Sequence, residues 1–305
     1  MVSTTNTSKS DEIKHSGATV QKAGKLVICP TPLGNLGDMT QRACEALEHA
    51  DVVCAEDTRV TGKLLSALGI KKRLERLDET LLAQRAELMA ERVCAGEVIA
   101  YCSDAGMPGV SDPGMRLVKA VREAGGVVEV LPGPVAAATA YVASGTQNTT
   151  FYFGGFFPRK DTQRQVLLQS LAPLEAALIF YESPKRVVRA LEVLAHTFPL
   201  REAAVCRELT KVHEEIVRMP LPELAQEFAK REQSGQIKGE IVIVVDGPSL
   251  AEDDAAAACA QQDAREVAAQ LRACGMRKKD IAKQLVEQFG ISRNDAYAIA
   301  LEDAL

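Results

Sequence analysis

From residue 25 onward, short apolar runs alternate with amphipathic segments of helical length, and this alternation constrains the fold more than any other feature. The four apolar runs of the first half are KLVICP, DVVCAE, EVIAYCS and VVEVLP. Strands that alternate with helices of about 10–15 residues indicate βαβ units and a largely parallel sheet. The sequence therefore predicts an α/β fold, with a first domain over residues 25–145.

A second block begins near residue 146. FYFGGFFP and ALIFYESP each precede a helix, EAAVCREL and HEEIVRMP predict an antiparallel pair, and GEIVIVVDG is strongly β-forming. We expect a second α/β domain over residues 146–248. The segment GPSLAEDDAAAA indicates a linker, and the block that follows has helix–turn–helix-like spacing, so residues 249–305 are assigned to a small helical extension.

The charge balance limits how this chain can bind a polyanion. It has 36 basic and 41 acidic residues and a formal net charge of −5, which argues against binding nucleic acid with its whole surface but allows a local basic groove. The eight cysteines form no C-x-x-C pair, and the four histidines have no metal-ligand spacing. We therefore expect buried cysteines in a reducing cytosol and no structural metal.

The start of the chain is polar and lacks the apolar core of a signal peptide, so residues 1–24 are expected to be a disordered tail. No apolar stretch approaches the ~20 residues needed to cross a bilayer. These features predict a cytoplasmic protein without a membrane segment.

Three polar loops follow predicted strands of the first domain: TPLGNLGD, DTRVTG and SDAGMPGVSDPG. They are expected on one rim of the sheet, because ligands of open α/β sheets bind outside the carboxyl ends of the strands. The third loop, residues 103–114, joins three glycines and two prolines to Asp104 and Asp112, so its backbone can approach a ligand closely and stay stiff. Without a phosphate-loop motif, it suits a cationic or zwitterionic ligand; an ordinary long turn is the alternative.

Polar groups at other strand ends allow two interpretations each. The four residues that follow DVVCA form either a turn or a site, and VLPGPVAAATA accommodates either a flat ligand or tight helix–sheet packing. In IFYESPKR, Ser183 is expected to cap a helix that Pro184 opens. Glu182 and the basic pair after Pro184 either contact phosphate or are solvated, and the acid beside an arginine in CRELT allows surface ion pairing.

Eight segments occur in one order: PTPLGNLGDMTQRA, AEDTR, SDAGMPGVSDPG, LPGPVAAATA, GGFFPRK, FYESPKR, CRELTK and GEIVIVV. Together they resemble the tetrapyrrole methylase superfamily of S-adenosylmethionine (SAM) methyltransferases, and within it the branch that methylates a cytidine 2′-oxygen of small-subunit ribosomal RNA. The resemblance covers residues 25–247, and AEDTR separates this branch from the corrin and sirohaem methylases. One departure is Met107 with Gly109, where the family more often has threonine and a bulkier aliphatic residue.

The resemblance implies two α/β domains with SAM in the cleft between them, usually in a homodimer. Carried over by motif, the SAM-binding residues are Pro32, Asp104, Ala105, Gly106, Val110, Ser111, Asp112, Pro132, Ala136, Ala137, Thr139, Tyr181, Glu182, Ser183, Gly239 and Glu240. The implied substrate is 16S rRNA or the small ribosomal subunit, with the modified cytidine near the decoding centre.

Methyl transfer to a ribose hydroxyl benefits from a positioned base, because that hydroxyl is weakly acidic. Our hypothesis assigns the base to Asp57 or Glu56, with Glu208 as a further candidate. The residues expected to hold the RNA are Thr58, Arg59, Lys185, Arg186 and Arg207.

The role of the helical extension and two other functions stay open. The extension either gathers RNA through RKK at 277–279 or serves packing, and residues 249–305 carry seven basic and ten acidic side chains, a net charge of −3. A methylase of a tetrapyrrole or other small molecule would explain the fold but not AEDTR. A non-catalytic SAM- or nucleotide-binding regulator is the alternative outside enzymes.

Overall fold

The computed structural model describes residues 24–248 and 250–302, without the side chains of residues 250–260. The predicted disordered tail lies outside the described residues, apart from Gly24. Two compact units are present. The first contains the chain up to Pro30, Thr40–Asp104 and Asp112–Pro132, and the second contains Thr31–Met39, Ala105–Ser111 and the chain from Gly133 onward.

The first unit is built on a parallel sheet of five strands in the order β3-β2-β4-β1-β5. Its strands are β1 (Lys25–Ile28), β2 (Val52–Ala55), β3 (Leu74–Arg76), β4 (Val98–Cys102) and β5 (Val127–Val130). Its helices are α1 (Gln41–His49), α2 (Thr58–Ala67), α3 (Glu79–Cys94) and α4 (Gly114–Glu123). The predicted α/β class and the largely parallel first sheet are confirmed.

Strand β3 was not expected from the sequence. It is only three residues long, and its sequence LER lies in the polar run KKRLERLDET, which lacks the apolar alternation of a strand. It forms because Leu74 pairs with Val53 of β2 in parallel register. Charged side chains on such a short edge strand discourage pairing with another chain.

The second unit contains a mixed sheet in the order β6-β7-β10-β8-β9, in which only β6 and β7 pair in parallel. Its strands are β6 (Phe151–Phe156), β7 (Ala177–Glu182), β8 (Glu202–Arg207), β9 (Glu215–Pro220) and β10 (Ile241–Val245). Its helices, apart from those at the carboxyl end, are α5 (Ala136–Ala143), α6 (Asp161–Leu171), α7 (Val187–Thr197) and α8 (Leu221–Gln233). The predicted antiparallel pair is confirmed as β8 and β9.

Helix α5 packs on one face of this second sheet, where Ala137 and Ala140 share an apolar cluster with Ile179 and Val244. The larger core on the other face includes Phe180, Leu191 and Phe228. The domain limits drawn from the sequence at residues 145 and 248 stay predictions.

Three helices end the described chain: α9 (Leu250–Ala273), α10 (Lys278–Phe289) and α11 (Arg293–Leu301). Ala264, Ile281, Leu285 and Ile299 belong to a buried cluster made within these helices. The predicted linker is wrong from Leu250 onward, because its run of alanines has the highest helix propensity and continues α9 instead of breaking it. In the part of the chain that the structure describes, no helix is long and apolar enough to span a bilayer.

Candidate functional site

The polar run after β2 is the start of helix α2 and not a free turn. Asp57 is the N-cap of α2, and its side chain accepts the backbone N–H of Arg59 at 2.8 Å. The Arg59 guanidinium also donates to both Asp57 oxygens, with Nη2 at 2.6 Å. These contacts hold the pKa of Asp57 well below its usual range, so its carboxylate is a stable anion and a weak proton acceptor.

Glu56 has the opposite environment. Burial raises the pKa of Glu56, and the charges of Asp104 and Asp112 raise it further. Asp104 Oδ1 accepts the backbone N–H of Asp57 at 3.1 Å, and partial burial raises the pKa of Asp104 as well, although much of its surface is exposed. The first unit therefore gathers Glu56, Asp104 and Asp112 after two adjacent strands, and burial raises the pKa of both Glu56 and Asp104.

Tyr101 lies beside this cluster and was missed by the sequence analysis. Its side chain is fully buried, and its hydroxyl finds no hydrogen-bond partner among the described residues. Burial raises the pKa of Tyr101, and Asp112 and Glu56 are close enough to raise it further. A tyrosine inside an apolar run such as EVIAYC carries no sequence signal of this position, since the same pattern is typical of a core strand.

In the second unit, the loop SDAGMPGVSDPG is hydrogen-bonded to the loop TPLGNLGD, which follows β1. Thr31 and Gly106 exchange both backbone hydrogen bonds, at 2.9 and 3.0 Å. Gly106 has φ +76°, and a Cβ at this position would lie 3.1 Å from Leu33 Cδ2 and 3.3 Å from the carbonyl oxygen of Pro134. Only glycine suits this conformation and this close approach, and the predicted approach of the loop to a ligand stays a prediction.

Tyr181 joins β7 to the start of helix α5. Its hydroxyl accepts the backbone N–H of Ala137 at 3.2 Å, one of the N–H groups that the first turn of a helix leaves unpaired. Thr139 donates its hydroxyl to the carbonyl of Val135 at 3.0 Å. The Tyr181 ring also meets Phe153 edge-on, with centroids 4.8 Å apart, so this tyrosine is fixed in place from two sides.

The predicted cap at Ser183 is wrong, because helix α7 begins at Val187 and has Arg186 at its N-cap. Buried Glu182 organises this turn: its carboxylate accepts the Ser183 N–H at 2.6 Å and Arg186 Nε and Nη2, both at 2.6 Å. The Ser183 carbonyl accepts the N–H groups of Arg186 and Val187. Arg186 is thus held in a partly buried ion pair, whereas Lys185 is exposed.

Glu208 is held in a strained conformation with φ 52°. Its carboxylate accepts the Glu240 N–H and the Lys211 ammonium, both at 2.8 Å. Burial raises the pKa of Glu208, but these hydrogen bonds outweigh burial and the net pKa is lowered, which disfavours Glu208 as a base. Gly239 has φ +87°, and its lack of a side chain leaves room for the Glu208 carboxylate. A Cβ at position 239 would lie 2.3 Å from Glu208 Oε1.

Lys211 and Arg207 complete this corner of the second unit. Lys211, the last residue of the segment CRELTK, bridges Glu208 and Glu240. Its stem passes over Gly34, where a Cβ would lie 2.2 Å from Lys211 Cγ. Arg207 pairs with Glu215 at 3.1 Å, so its guanidinium is already engaged within the protein.

The two units hold different parts of the residue set drawn from the sequence. The residues in the first unit are Glu56, Asp57, Thr58, Arg59, Asp104, Asp112 and Pro132. Those in the second are Pro32, Ala105, Gly106, Val110, Ser111, Ala136, Ala137, Thr139, Tyr181, Glu182, Ser183, Lys185, Arg186, Arg207, Glu208, Gly239 and Glu240. Their roles in binding and catalysis stay predictions.

Solved structures of other proteins share this fold. The chain is similar to a cobalamin biosynthetic enzyme, cobalt precorrin-4 methyltransferase, with TM-score 0.55 and 18% identity over 73% of this chain and 94% of that one. It is also similar to diphthine synthase, with TM-score 0.57 and 16% identity over 74% of this chain and 91% of that one. At these identities the likeness establishes the shared fold alone.

Sequence relatives identify the family. The profile of the tetrapyrrole (corrin/porphyrin) methylases matches residues 25–225, and the chain belongs to this family. The ribosomal RNA small subunit methyltransferase I of Escherichia coli O157:H7 is 41% identical over 280 residues, which cover 92% of this chain and 95% of that protein. The protein of the same name from Mycobacterium tuberculosis (strain ATCC 25618 / H37Rv) is 43% identical over 228 residues, 74% of this chain and 78% of that one.

Proposed function

We propose that this chain is a SAM-dependent methyltransferase of small-subunit ribosomal RNA. The observation that carries the proposal is the 41% identity to a relative of that name, which extends over 92% of this chain. The methylated group is proposed to be the 2′-oxygen of a cytidine in 16S rRNA near the decoding centre. This assignment is what the resemblance of the ordered motifs, AEDTR among them, implies, and the carboxylates of AEDTR suit proton transfer from a hydroxyl.

The residues of the second unit fit SAM. The loop around Gly106 is a narrow cradle that a Cβ would fill, and the small side chain of Ala136, which is only partly buried, lies at the start of α5. Tyr181 holds the first turn of α5 in place through Ala137. We propose that these residues bind the cofactor together with the other SAM-binding residues named from the sequence.

The catalytic work of the protein is proposed to be positioning and proton removal. SAM, when bound, supplies an electrophilic methyl group. Orientation of the acceptor contributes up to about 7–11 kcal/mol in favourable cases, and a positioned base contributes about 10²–10⁴-fold. Glu56 is proposed as the base that takes the ribose proton, because its raised pKa suits that exchange, whereas Asp57 orders Arg59 and helix α2.

The RNA-binding role is proposed for the side chains that the protein itself leaves available. Arg59 is 86% exposed although it pairs with Asp57, and Lys185 is exposed. Arg186 and Arg207 are engaged with Glu182 and Glu215, so we assign them the ordering of loops next to the substrate. We further propose a cytoplasmic homodimer that acts without a metal.

The test of this function incubates the full-length protein and methyl-labelled SAM with small ribosomal subunits, naked ribosomal RNA and uroporphyrinogen in parallel. Labelled RNA is then digested to nucleosides. We expect label in 2′-O-methylcytidine, and the two RNA arms show whether the assembled particle is required. Label in uroporphyrinogen and none in either RNA arm would contradict the proposed substrate and favour a small-molecule methylase.

A further inference from the structure

A pocket of 350 Å³ opens on the second unit, at the end of strand β6 and the turn after β7. Phe156, Pro158 and Arg159 line it on one side, and Ser183 and Arg186 line it on the other. Ligand pockets in proteins span about 300–1,000 Å³, so this one has room for a small group such as one nucleobase. The roles discussed above use the turn after β7 but leave the β6 side of the pocket without a function.

The backbone of the β6 side is held rigidly. Arg186 Nη2 donates to the carbonyl of Phe157 at 3.0 Å. Arg164 donates Nε to the carbonyl of Pro158 at 2.7 Å and Nη2 to that of Arg159 at 2.8 Å. The carbonyls of residues 157–159 are thus each fixed by an arginine, Arg164 at the start of α6 or Arg186 at the start of α7. The backbone that carries the side chains of this segment is therefore preorganised.

Phe156 is brought to the pocket by an irregularity in strand β6. The register with β7 shifts between Phe153 and Phe156, across two glycines. A Cβ at Gly154 would lie 2.4 Å from the Phe180 ring, and Gly155 has φ +66°, so both positions require glycine. The Phe156 ring meets Tyr181 edge-on at 5.7 Å, yet 58% of the residue stays exposed.

Unpaired cations lie in the two chain segments that line the pocket, and Arg159 is itself a lining residue. Arg159, Lys160 and Lys185 are exposed, and none of their side chains forms an ion pair with another residue in the described ranges. The two arginines that fix the backbone have partners by contrast, since Arg164 pairs with Asp161 and Arg186 with Glu182. An exposed aromatic ring beside free Arg and Lys side chains is the combination that binds single-stranded nucleic acid, through base stacking and phosphate contacts.

We propose that this pocket holds one unpaired nucleotide of the ribosomal RNA substrate, with its base stacked on Phe156 and its flanking phosphates on Arg159, Lys160 and Lys185. The inference rests on the proposed function and adds a binding subsite to it. Sequence-specific RNA recognition uses unstacked bases in loops and single strands, which an aromatic ring can receive. The site also explains how a chain with a net charge of −5 can bind a polyanion, because its free cations are local.

The test measures binding of the full-length protein to a fluorescent twelve-nucleotide oligocytidine by anisotropy over a series of salt concentrations. Phe156→Leu keeps the apolar bulk and removes the ring, so we expect affinity to fall about 5- to 150-fold, the range found when one stacking aromatic is lost. Phe156→Tyr keeps the ring and should bind like the wild type. Arg159→Ala should reduce the slope of log affinity against log salt by about 0.7, the value of one phosphate contact on a single strand.

Two matched controls come from the same unit. Phe151→Leu changes another exposed aromatic residue of β6, which is 44% exposed and outside the pocket. Lys230→Ala removes an exposed cation of α8. Neither should alter RNA affinity, and calorimetry should find SAM affinity unchanged in all variants.

Methyl transfer to small subunits separates this inference from the proposed function. The expected result is a raised KM for RNA in Phe156→Leu at an unchanged kcat. A wild-type KM together with wild-type oligocytidine binding would overturn the subsite and leave the rRNA methyltransferase standing. A changed sedimentation coefficient with unchanged RNA binding would also overturn it, because the ring would then belong to a contact between copies of the chain. A wild-type protein that methylates uroporphyrinogen and no RNA would overturn both.

Discussion

Glu56 and Asp57 are neighbours in the chain, but their carboxylates have different surroundings. Asp57 is bound by the Arg59 guanidinium and caps α2, whereas Glu56 is partly buried beside Asp104 and Asp112. The sequence alone left both open as the base, since two adjacent acids after a strand look equivalent. Their environments shift the two pKa values in opposite directions, because hydrogen bonds from Arg59 lower that of Asp57 and burial raises that of Glu56.

The first prediction compares Glu56→Gln with Asp57→Asn. Glu56→Gln should lower kcat by about 10²–10⁴-fold, the usual contribution of a general base, and leave SAM binding intact. Asp57→Asn should have a much smaller effect, because asparagine caps a helix as well as aspartate does. Single-turnover methylation of small subunits measures both. Equal losses in the two variants would contradict the assignment of the base to Glu56.

The second prediction concerns pH. Because the pKa of Glu56 is raised, the folded protein binds the Glu56 proton more tightly than the unfolded chain does. The contribution of this carboxyl group to the free energy of unfolding is therefore largest at low pH. It is lost as the pH rises through the pKa of the folded state. Activity has the opposite sign, since the base must be deprotonated and kcat must rise through the same pKa. Asp104→Asn removes a charge that raises this pKa but keeps the oxygen that accepts the Asp57 N–H, so the acid limb of kcat at saturating SAM should move to lower pH. An unmoved limb would show that Glu56 does not control it.

The third prediction tests the unpaired hydroxyl of Tyr101. A buried polar group without a partner destabilises a protein by about 1–3 kcal/mol, so Tyr101→Phe should raise the free energy of unfolding by up to that amount. Urea denaturation followed by circular dichroism measures the change. A loss of stability would mean that the hydroxyl has a partner, and a lowered kcat in a stable variant would place it at the reacting groups.

At the scale of elements, a charged network joins strand β3 to helix α3. Arg92 donates to Glu97 at 2.6 Å and to Glu75 at 2.7 Å, with only 22% of its side chain exposed. Arg73 also pairs with Glu75, at 2.8 Å, but is 72% exposed. A short polar strand is thus held at the sheet edge by one partly buried arginine that satisfies two carboxylates.

The fourth prediction uses these two arginines as a matched pair. Arg92→Met should lower the free energy of unfolding by about 1.5–3 kcal/mol, because it removes hydrogen bonds to charged groups and leaves Glu97 without this partner. Arg73→Met should change it by about 0–1 kcal/mol, as is usual for an exposed ion pair. Urea titrations of both variants give the comparison. Similar values for the two would show that the partial burial of Arg92 adds nothing.

At the scale of the whole molecule, enzymes whose names indicate very different substrates share one fold. The fold alone therefore does not determine which molecule accepts the methyl group. Specificity for the methyl acceptor must come from residues that differ between proteins with that fold. In this chain the candidates are the carboxylates around Glu56 in the first unit and the pocket beside Phe156 in the second. Both lie on segments that follow strands, where side chains can change without disturbing the core.

The fifth prediction concerns the carboxyl-terminal helices, whose buried cluster is made among themselves. Leu285 is fully buried in this cluster, and Leu285→Ala should destabilise it locally by about 2–5 kcal/mol. Amide hydrogen exchange should speed up in α9, α10 and α11 and stay unchanged in the two sheets. Faster exchange in the sheets as well would show that the whole chain unfolds as one cooperative unit.

Much of the architecture was predictable because it depends on local order. The alternation of apolar and amphipathic segments predicted the α/β class and the parallel first sheet, and Gly69 follows the C-cap of α2 with φ +73°, a conformation that suits glycine. The failures also have local causes. LER carries no strand pattern, the alanines after residue 250 continue a helix, and Ser183 is displaced from its cap because buried Glu182 binds Arg186 and shapes the turn.

The sequence by itself determined the fold class and the family, because periodicity, turn residues and ordered motifs are properties of the chain read in one dimension. Only the tertiary structure decided which charged groups are available for chemistry. Arg186, Arg207 and Asp57 are engaged, Lys185 and Arg159 are free of ion pairs within the described residues, and Glu56 is tuned by Asp104, which lies 48 positions further along the chain. Burial and electrostatic interaction act through space, so residues distant in sequence set the pKa and exposure on which function depends.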